Sequence, residues 1–204
     1  MDNAKIDSKH NTVTVEGGIK NTQLYNYIST KGYPFPGGTC PTVGVSGHAG
    51  GGNFGVITSM TFNLPPKVNK VTYVRIRYLW IDRPTQVKIL DTWQKWIASV
   101  DNDINLSGGL YHTKEEGVYA YFRGISYKNI EETTKLLEPF NLINGVEITL
   151  EEDLYINIIN KIASSYPSSE HFKSTGRFVN RYYYLDELSN LVDIINQELP
   201  PTVT

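Results

Sequence analysis

One stretch constrains this chain more than any other: Gly37-Gly38-Thr39-Cys40-Pro41-Thr42-Val43-Gly44-Val45-Ser46-Gly47-His48-Ala49-Gly50-Gly51-Gly52-Asn53-Phe54-Gly55. Eight of the seventeen glycines and the single cysteine lie within it. Glycine reaches positive φ at little cost and carries no Cβ, so such a stretch lets main chain come close to a phosphate or a flat ring, or simply supplies tight turns. Gly50 to Gly55 satisfies G-x-G-x-x-G, but a dinucleotide fingerprint follows a strand and opens a helix. Here it is followed by Val56-Ile57-Thr58-Ser59-Met60-Thr61-Phe62-Asn63-Leu64-Pro65-Pro66, which reads as a strand closed by a proline pair. The lysine and hydroxyl residue of a P-loop are absent as well.

The run Pro36-Gly37-Gly38-Thr39-Cys40-Pro41-Thr42-Val43-Gly44-Val45-Ser46-Gly47-His48 resembles the flavin-binding segment of FAD-linked oxidases of the vanillyl-alcohol-oxidase (PCMH) type, berberine-bridge-enzyme-like branch. The following Gly50-Gly51-Gly52-Asn53-Phe54-Gly55-Val56-Ile57-Thr58 resembles a later flavin-contacting segment of that family. The resemblance implies FAD as cofactor, with a thioether from Cys40 to the flavin ring. It implies cofactor contacts at Gly38, Thr39, Cys40, Pro41, Thr42, Val43, Gly44, Ser46, Gly47, His48, Gly52, Asn53, Phe54, Gly55 and Val56. It also implies a hydride taken from a small organic or sugar-like substrate.

The sequence departs from the family in three places. In the family a long piece of FAD domain separates the two glycine segments; here they abut near Ala49 to Gly51. Nothing before Val13 matches the earlier Gly-Gly-His subdomain, and His10 stands in a polar segment where a solvated role is expected. The strands that carry the family's usual catalytic base lie beyond the matched part, so no catalytic residue is assigned. The expectation is a truncated relative.

Around the loop the order is simple. Asn11 to Glu16 alternates like a short strand, and Asn21 to Ile28 reads as a helix opened by a capping residue and ended at Gly32. Past Lys67 glycines thin out, which places a boundary near Pro65-Pro66. The domains expected are a partial FAD-binding segment over 1–66 and a partial substrate-binding domain over 67–204. Within the second, Val71 to Trp80 is a strand, and Thr85 to Val100 a helix with Val87, Leu90, Trp93 or Gln94, Ile97 and Val100 on its stripe, flanked by Trp93 and Trp96. Ile104 to Thr113 and Gly117 to Ser126 form a hairpin, Asn129 to Phe140 a helix and Gly145 to Leu150 a strand. That is β-α-β-β-α-β, and the fold class expected is α+β: a flavin segment followed by a ferredoxin-like antiparallel sheet with helices on one face. Helices over Leu150 to Ala163 and Leu185 to Gln197 complete the chain, and Trp93-Gln94-Lys95-Trp96 and Phe172 to Val179 resemble segments of the family's substrate domain.

The remaining chemistry is sparse. Net charge is −2, which argues against a general hold on nucleic acid or anionic membrane. No apolar run reaches the roughly 20 residues of a membrane span. A polar start and one cysteine suggest a cytoplasmic protein. His10, His48, His112 and His171 show no metal-ligand spacing, and no G-x-S-x-G elbow is present. Lys173 and Arg177 are basic candidates for phosphate or substrate, and also ordinary solvated residues. Tyr73, Tyr78, Tyr119 and Tyr121 fall at strand positions, where packing is the default. The partners expected are a small-molecule substrate, no nucleic acid, no membrane, and possible self-association through open sheet edges. Two functions stay open: an FAD-dependent oxidoreductase, or a shortened non-catalytic remnant or binding module. About 65 residues with one helix are few for an independent FAD domain, so weak noncovalent FAD binding by the chain alone is expected.

Overall fold

The computed structural model describes residues 2–35, 37–38, 40–45, 55–166, 175–176 and 178–198. Two compact units emerge, and each is built on its own sheet.

The first unit holds β1 (Ala4–Asp7), β2 (Thr12–Glu16), α1 (Asn21–Ser29), β3 (Ser59–Asn63) and, from later in the chain, α5 (Tyr155–Ser164). Its strands run antiparallel in the order β1-β2-β3, with Val13 opposite Phe62 and Val15 opposite Met60. The β1–β2 turn is closed by Asp7, whose carboxylate accepts from the Lys9 and His10 backbone and from the His10 ring. Asn11, at φ 51°, makes the left-handed step that asparagine tolerates better than most residues. Leu24, Tyr25 and Ile28 of α1, Ile158, Ile159 and Ile162 of α5, and Val13 and Val15 of β2 are all buried. The strongly two-sided α5 thus supplies apolar surface that the first seventy residues lack.

The second unit contains β4 (Lys70–Tyr78), α2 (Arg83–Ser99), β5 (Ile104–Thr113), β6 (Gly117–Ser126), α3 (Ile130–Leu136), α4 (Glu138–Asn141), β7 (Val146–Leu154) and α6 (Leu185–Ile195). The sheet order is β5-β6-β4-β7, the ferredoxin-like order, with β4–β6 and β5–β6 antiparallel. One face is the core. Val74, Ile76 and Tyr78, Ala120 and Phe122, and Ile104 and Leu106 meet Ile89 and Trp96 of α2 and Leu137 and Phe140 behind them. The ring of Trp93 lies 4.7 Å from that of Phe122, at 29°. Polar tips of the aromatics find partners inside: Tyr78 Oη donates to the Phe140 carbonyl at 2.7 Å and Trp96 Nε1 to that of Leu136 at 2.8 Å.

Local chemistry explains the element ends. Asp82 caps α2 by accepting from the Thr85 amide at 3.0 Å, and Asn129 caps α3 through the Glu132 amide at 2.9 Å. The single helix expected over Asn129 to Phe140 is instead α3 and α4, because Pro139 has no N–H to continue the ladder and its ring crowds the preceding turn. The helix expected from Leu150 starts only at Tyr155; residues up to Leu154 extend β7. The expected stripe on α2 is rotated: Gln86, Ile89 and Trp96 are the buried positions. Leu90 and Ile97 line a groove of about 700 Å³ with Val179, Tyr182, Leu188 and Leu191. The chain crosses between units after Lys70 and returns to the first after Glu152, so α5 sits with the first unit rather than with the segment 67–204.

The segment before α6 is tied down by charge and amide contacts. Gln94 brackets the Tyr183 backbone, accepting from its N–H at 2.8 Å and donating to its carbonyl at 3.0 Å. Arg181 makes a two-point bond to Glu187 at 2.7 and 2.6 Å, and this guanidinium, with the Tyr184 amide, holds the Glu187 carboxyl at about 2.

Two outcomes follow from this packing. Phe140→Ala, at the centre of the second unit's core, is expected to cost about 3–5 kcal/mol, read as a lowered urea midpoint. For Glu187, a folded value below the ordinary 4.5 means that its stabilisation is complete above that pH and is lost as pH falls toward about 2. The stability gap between wild type and Glu187→Gln should therefore close over that window, measured by urea midpoints at successive pH values.

Candidate functional site

The described part of the glycine-rich loop is held by the start of α1. A helix N-terminus has backbone donors with no partner inside the helix. Here the Asn21 N–H donates to the Val43 carbonyl at 2.9 Å and the Thr22 N–H to that of Pro41 at 3.0 Å. The Asn21 side chain adds to them: its Nδ2 donates to the carbonyls of Gly38 at 3.2 Å and Cys40 at 3.0 Å. Tyr25 Oη also donates to Gly38, at 2.5 Å. The Val45 N–H closes the far side on the Ile19 carbonyl at 2.9 Å, beside an isolated bridge between Lys20 and Gly44. Four loop carbonyls thus turn toward one helix end. Thr42 stays exposed and Cys40, with a free thiol, half-buried.

Within the described part of the loop, tight packing makes glycine necessary at Gly37. A Cβ on Gly37 would stand 2.5 Å from Tyr25 Oη and 2.8 Å from the Phe35 ring. Upstream, Tyr155 of α5 clamps Phe35, its hydroxyl accepting from the Phe35 N–H at 3.2 Å and donating to the Phe35 carbonyl at 3.0 Å. Rings of Tyr25, Phe35, Tyr155 and Phe62 pack around this clamp. Asn21, expected to cap α1, lies one residue inside it and spends its amide on the loop; Lys20 is the cap position, its N–H donating to Gln23 Oε1 at 2.9 Å.

Among the expected flavin contacts, the structure places Gly38, Cys40, Pro41, Thr42, Val43 and Gly44 along this helix end. Gly55 (φ +121°) and Val56 are exposed ahead of β3. Thr39, Ser46, Gly47, His48, Gly52, Asn53 and Phe54 lie outside the described residues, as do Lys173 and Arg177. His10 is exposed and bonded to Asp7.

The second unit contributes a polar, aromatic sheet face of its own. On the side away from the helices, register puts Arg75 opposite Arg123 and Arg77 opposite Tyr121, with Tyr119 opposite Tyr111 on the next strand. Like charges facing across a ladder repel. Neighbours offset this: Arg75 donates to Thr149 Oγ1 at 3.0 Å and stands 3.9 Å from Glu147, and Arg77 pairs with Glu116. Burial, and then Tyr121 beside it, pushes the Tyr73 phenol up to about 12. Burial, followed by Glu116 and Tyr111, raises Tyr119. These phenols are therefore neutral hydrogen-bond donors at physiological pH rather than bases. Sequence reasoning gave the tyrosines their strands; the register that gathers them with three arginines came only from the structure.

The fold is that of PCMH-type FAD-linked oxidases. No protein-family model matches the chain. Over 60 residues it is 40% identical to Berberine bridge enzyme-like D-2 of Nicotiana tabacum, covering 28% of this chain and 11% of that protein. Over 90 residues it is 32% identical to an uncharacterised FAD-linked oxidoreductase of Bacillus subtilis, covering 44% and 19%. In structure it superposes on a chitooligosaccharide oxidase with a TM-score of 0.76 at 18% identity, over 96% of this chain and 53% of that one. A glucooligosaccharide oxidase of Acremonium strictum, described with a novel flavinylation, gives 0.75 at 17%, over 98% and 53%. The chain is a relative of the berberine-bridge-enzyme-like FAD-linked oxidoreductases, and it spans about half the length of these solved oxidases. The Bacillus relative is FAD-linked and the Acremonium oxidase is flavinylated.

Substituting Asn21 by Ala removes two of the donors that hold the loop. The expected result is faster alkylation of Cys40 by iodoacetamide with the circular dichroism spectrum retained; an unchanged rate would mean that the Asn21 amide does not hold the loop.

Proposed function

We propose that this chain is the flavin-loop and substrate-sheet portion of an FAD-dependent oxidoreductase that acts on a carbon bearing a hydroxyl. The single observation that carries this reading is the Cys40 loop: a half-buried thiol on backbone whose carbonyls are tied to α1. These residues suit a flat cofactor. Gly37 and Gly38 present no side chain, and fixed carbonyls keep the thiol in one place without rearrangement.

Bound FAD supplies a hydride acceptor, and Cys40 Sγ would hold it through a thioether. The chain's own residues supply position. Asn21, Tyr25 and Tyr155 fix the loop. The partner this implies is a small polar organic molecule.

The test is intact mass and visible absorbance of protein produced with riboflavin available, beside Cys40→Ala. A mass adduct with yellow colour in wild type and its loss in the variant are expected. Folded, colourless wild-type protein at apo mass would overturn the reading and favour a non-catalytic remnant.

A further inference from the structure

We propose that the groove between α2 and α6, on the helix-covered side of the second unit's sheet, is a binding site for an uncharged, apolar small molecule.

The helix α2 is apolar on two sides. Ile89 and Trp96 face the sheet core, while Leu90, Trp93 and Ile97 line the groove. A helix of that kind has two faces to cover. Leu188 and Leu191 of α6 stand across from them, and residues 179–183 complete the lining. Yet about 700 Å³ stays open, with Ile97 44% and Leu191 42% exposed. Helices in apolar contact ordinarily interdigitate until no such space is left.

Polar contacts account for the spacing. Near the start of α2, Arg83 donates to both carboxylate oxygens of Asp193, at 2.6 and 2.8 Å, and Asn196 Nδ2 donates to Gln86 Oε1 at 2.5 Å. Nearer its end, Gln94 brackets the Tyr183 backbone, and Arg181 is locked to Glu187. Such bonds are directional, so they set the separation of α6 from α2 in place of side-chain interdigitation. Trp93 is equally fixed, its ring centroid 4.7 Å from that of Phe122 and 5.6 Å from that of Trp96. The groove is therefore preformed, and its volume falls within the roughly 300–1,000 Å³ of small-molecule sites.

The same contacts decide the ligand's charge. Glu187 answers Arg181 at two points, and both ends of the Gln94 amide are taken by Tyr183, so neither side chain offers an unpaired group to an ion. The rest of the lining is mainly hydrocarbon and aromatic ring. A charged ligand would lose water there without gaining a counter-charge. A stable protein interface covers roughly 800 Å² per partner, broader than the few helical turns that line this groove. The inference does not depend on the flavin reading, which rests on the first unit.

The test titrates the full chain with two fluorescent probes that share one ring system: uncharged N-phenyl-1-naphthylamine and its sulfonate, 8-anilinonaphthalene-1-sulfonate. Saturable binding of the uncharged probe is expected, with the sulfonate at least about tenfold weaker. Ala98→Trp places an indole in the groove from an exposed position. It should weaken the uncharged probe at least about tenfold with the urea midpoint unchanged, and Leu191→Ser should weaken it as well. Failure of N-phenyl-1-naphthylamine to saturate, or wild-type affinity in Ala98→Trp, would overturn the site. Should Ala98→Trp lower the midpoint, wild-type affinity in Leu191→Ser would overturn it instead. Equal or tighter binding of the sulfonate would overturn the ligand class. Concentration-dependent dimers in sedimentation that Ala98→Trp abolishes, with no probe bound, would make the groove an interface between copies of this chain and overturn the proposal.

Discussion

Everything in the first unit's candidate site depends on where the unpaired donors at the start of α1 go. In most helices they meet a capping side chain or water. Here they meet the carbonyls of Pro41 and Val43, and the Asn21 amide adds those of Gly38 and Cys40. The loop is thereby fixed from its carbonyl side, which decides that Thr42 and part of Cys40 face outward. A glycine-rich segment left to itself pays heavily in backbone entropy, and this helix end offsets part of that cost.

Support for this arrangement comes from far along the chain. Tyr155 holds the Phe35 backbone through both its N–H and its carbonyl, and the isoleucines of α5 complete the apolar interior around α1. A three-stranded sheet with one short helix has little to bury. The return of α5 thus does structural work that no local feature of residues 2–66 could do.

The second unit separates two roles by sheet face. Alternation sends Val74, Ile76, Tyr78, Ala120 and Phe122 toward the helices and Tyr73, Arg75, Arg77, Tyr119, Tyr121 and Arg123 to the other side. Packing holds the first set, and the second carries the polar side chains of the sheet. Superposition on solved oxidases over about half of their length shows this fold within longer proteins.

By itself the amino-acid order determined what period and local chemistry can carry. The hairpin of β5 and β6 and the strand character of residues 71–78 were legible, because alternation and turn chemistry act over a few residues. Tertiary structure alone decided the rest. Asn21 gives up capping for loop carbonyls, and α2 turns Ile89 and Trp96 inward rather than Leu90 and Ile97. Residues after Leu150 stay in a strand until Leu154, and Trp80 is held in the left-handed region over Gly117. Each of these depends on partners tens of residues away, and no local propensity carries that information.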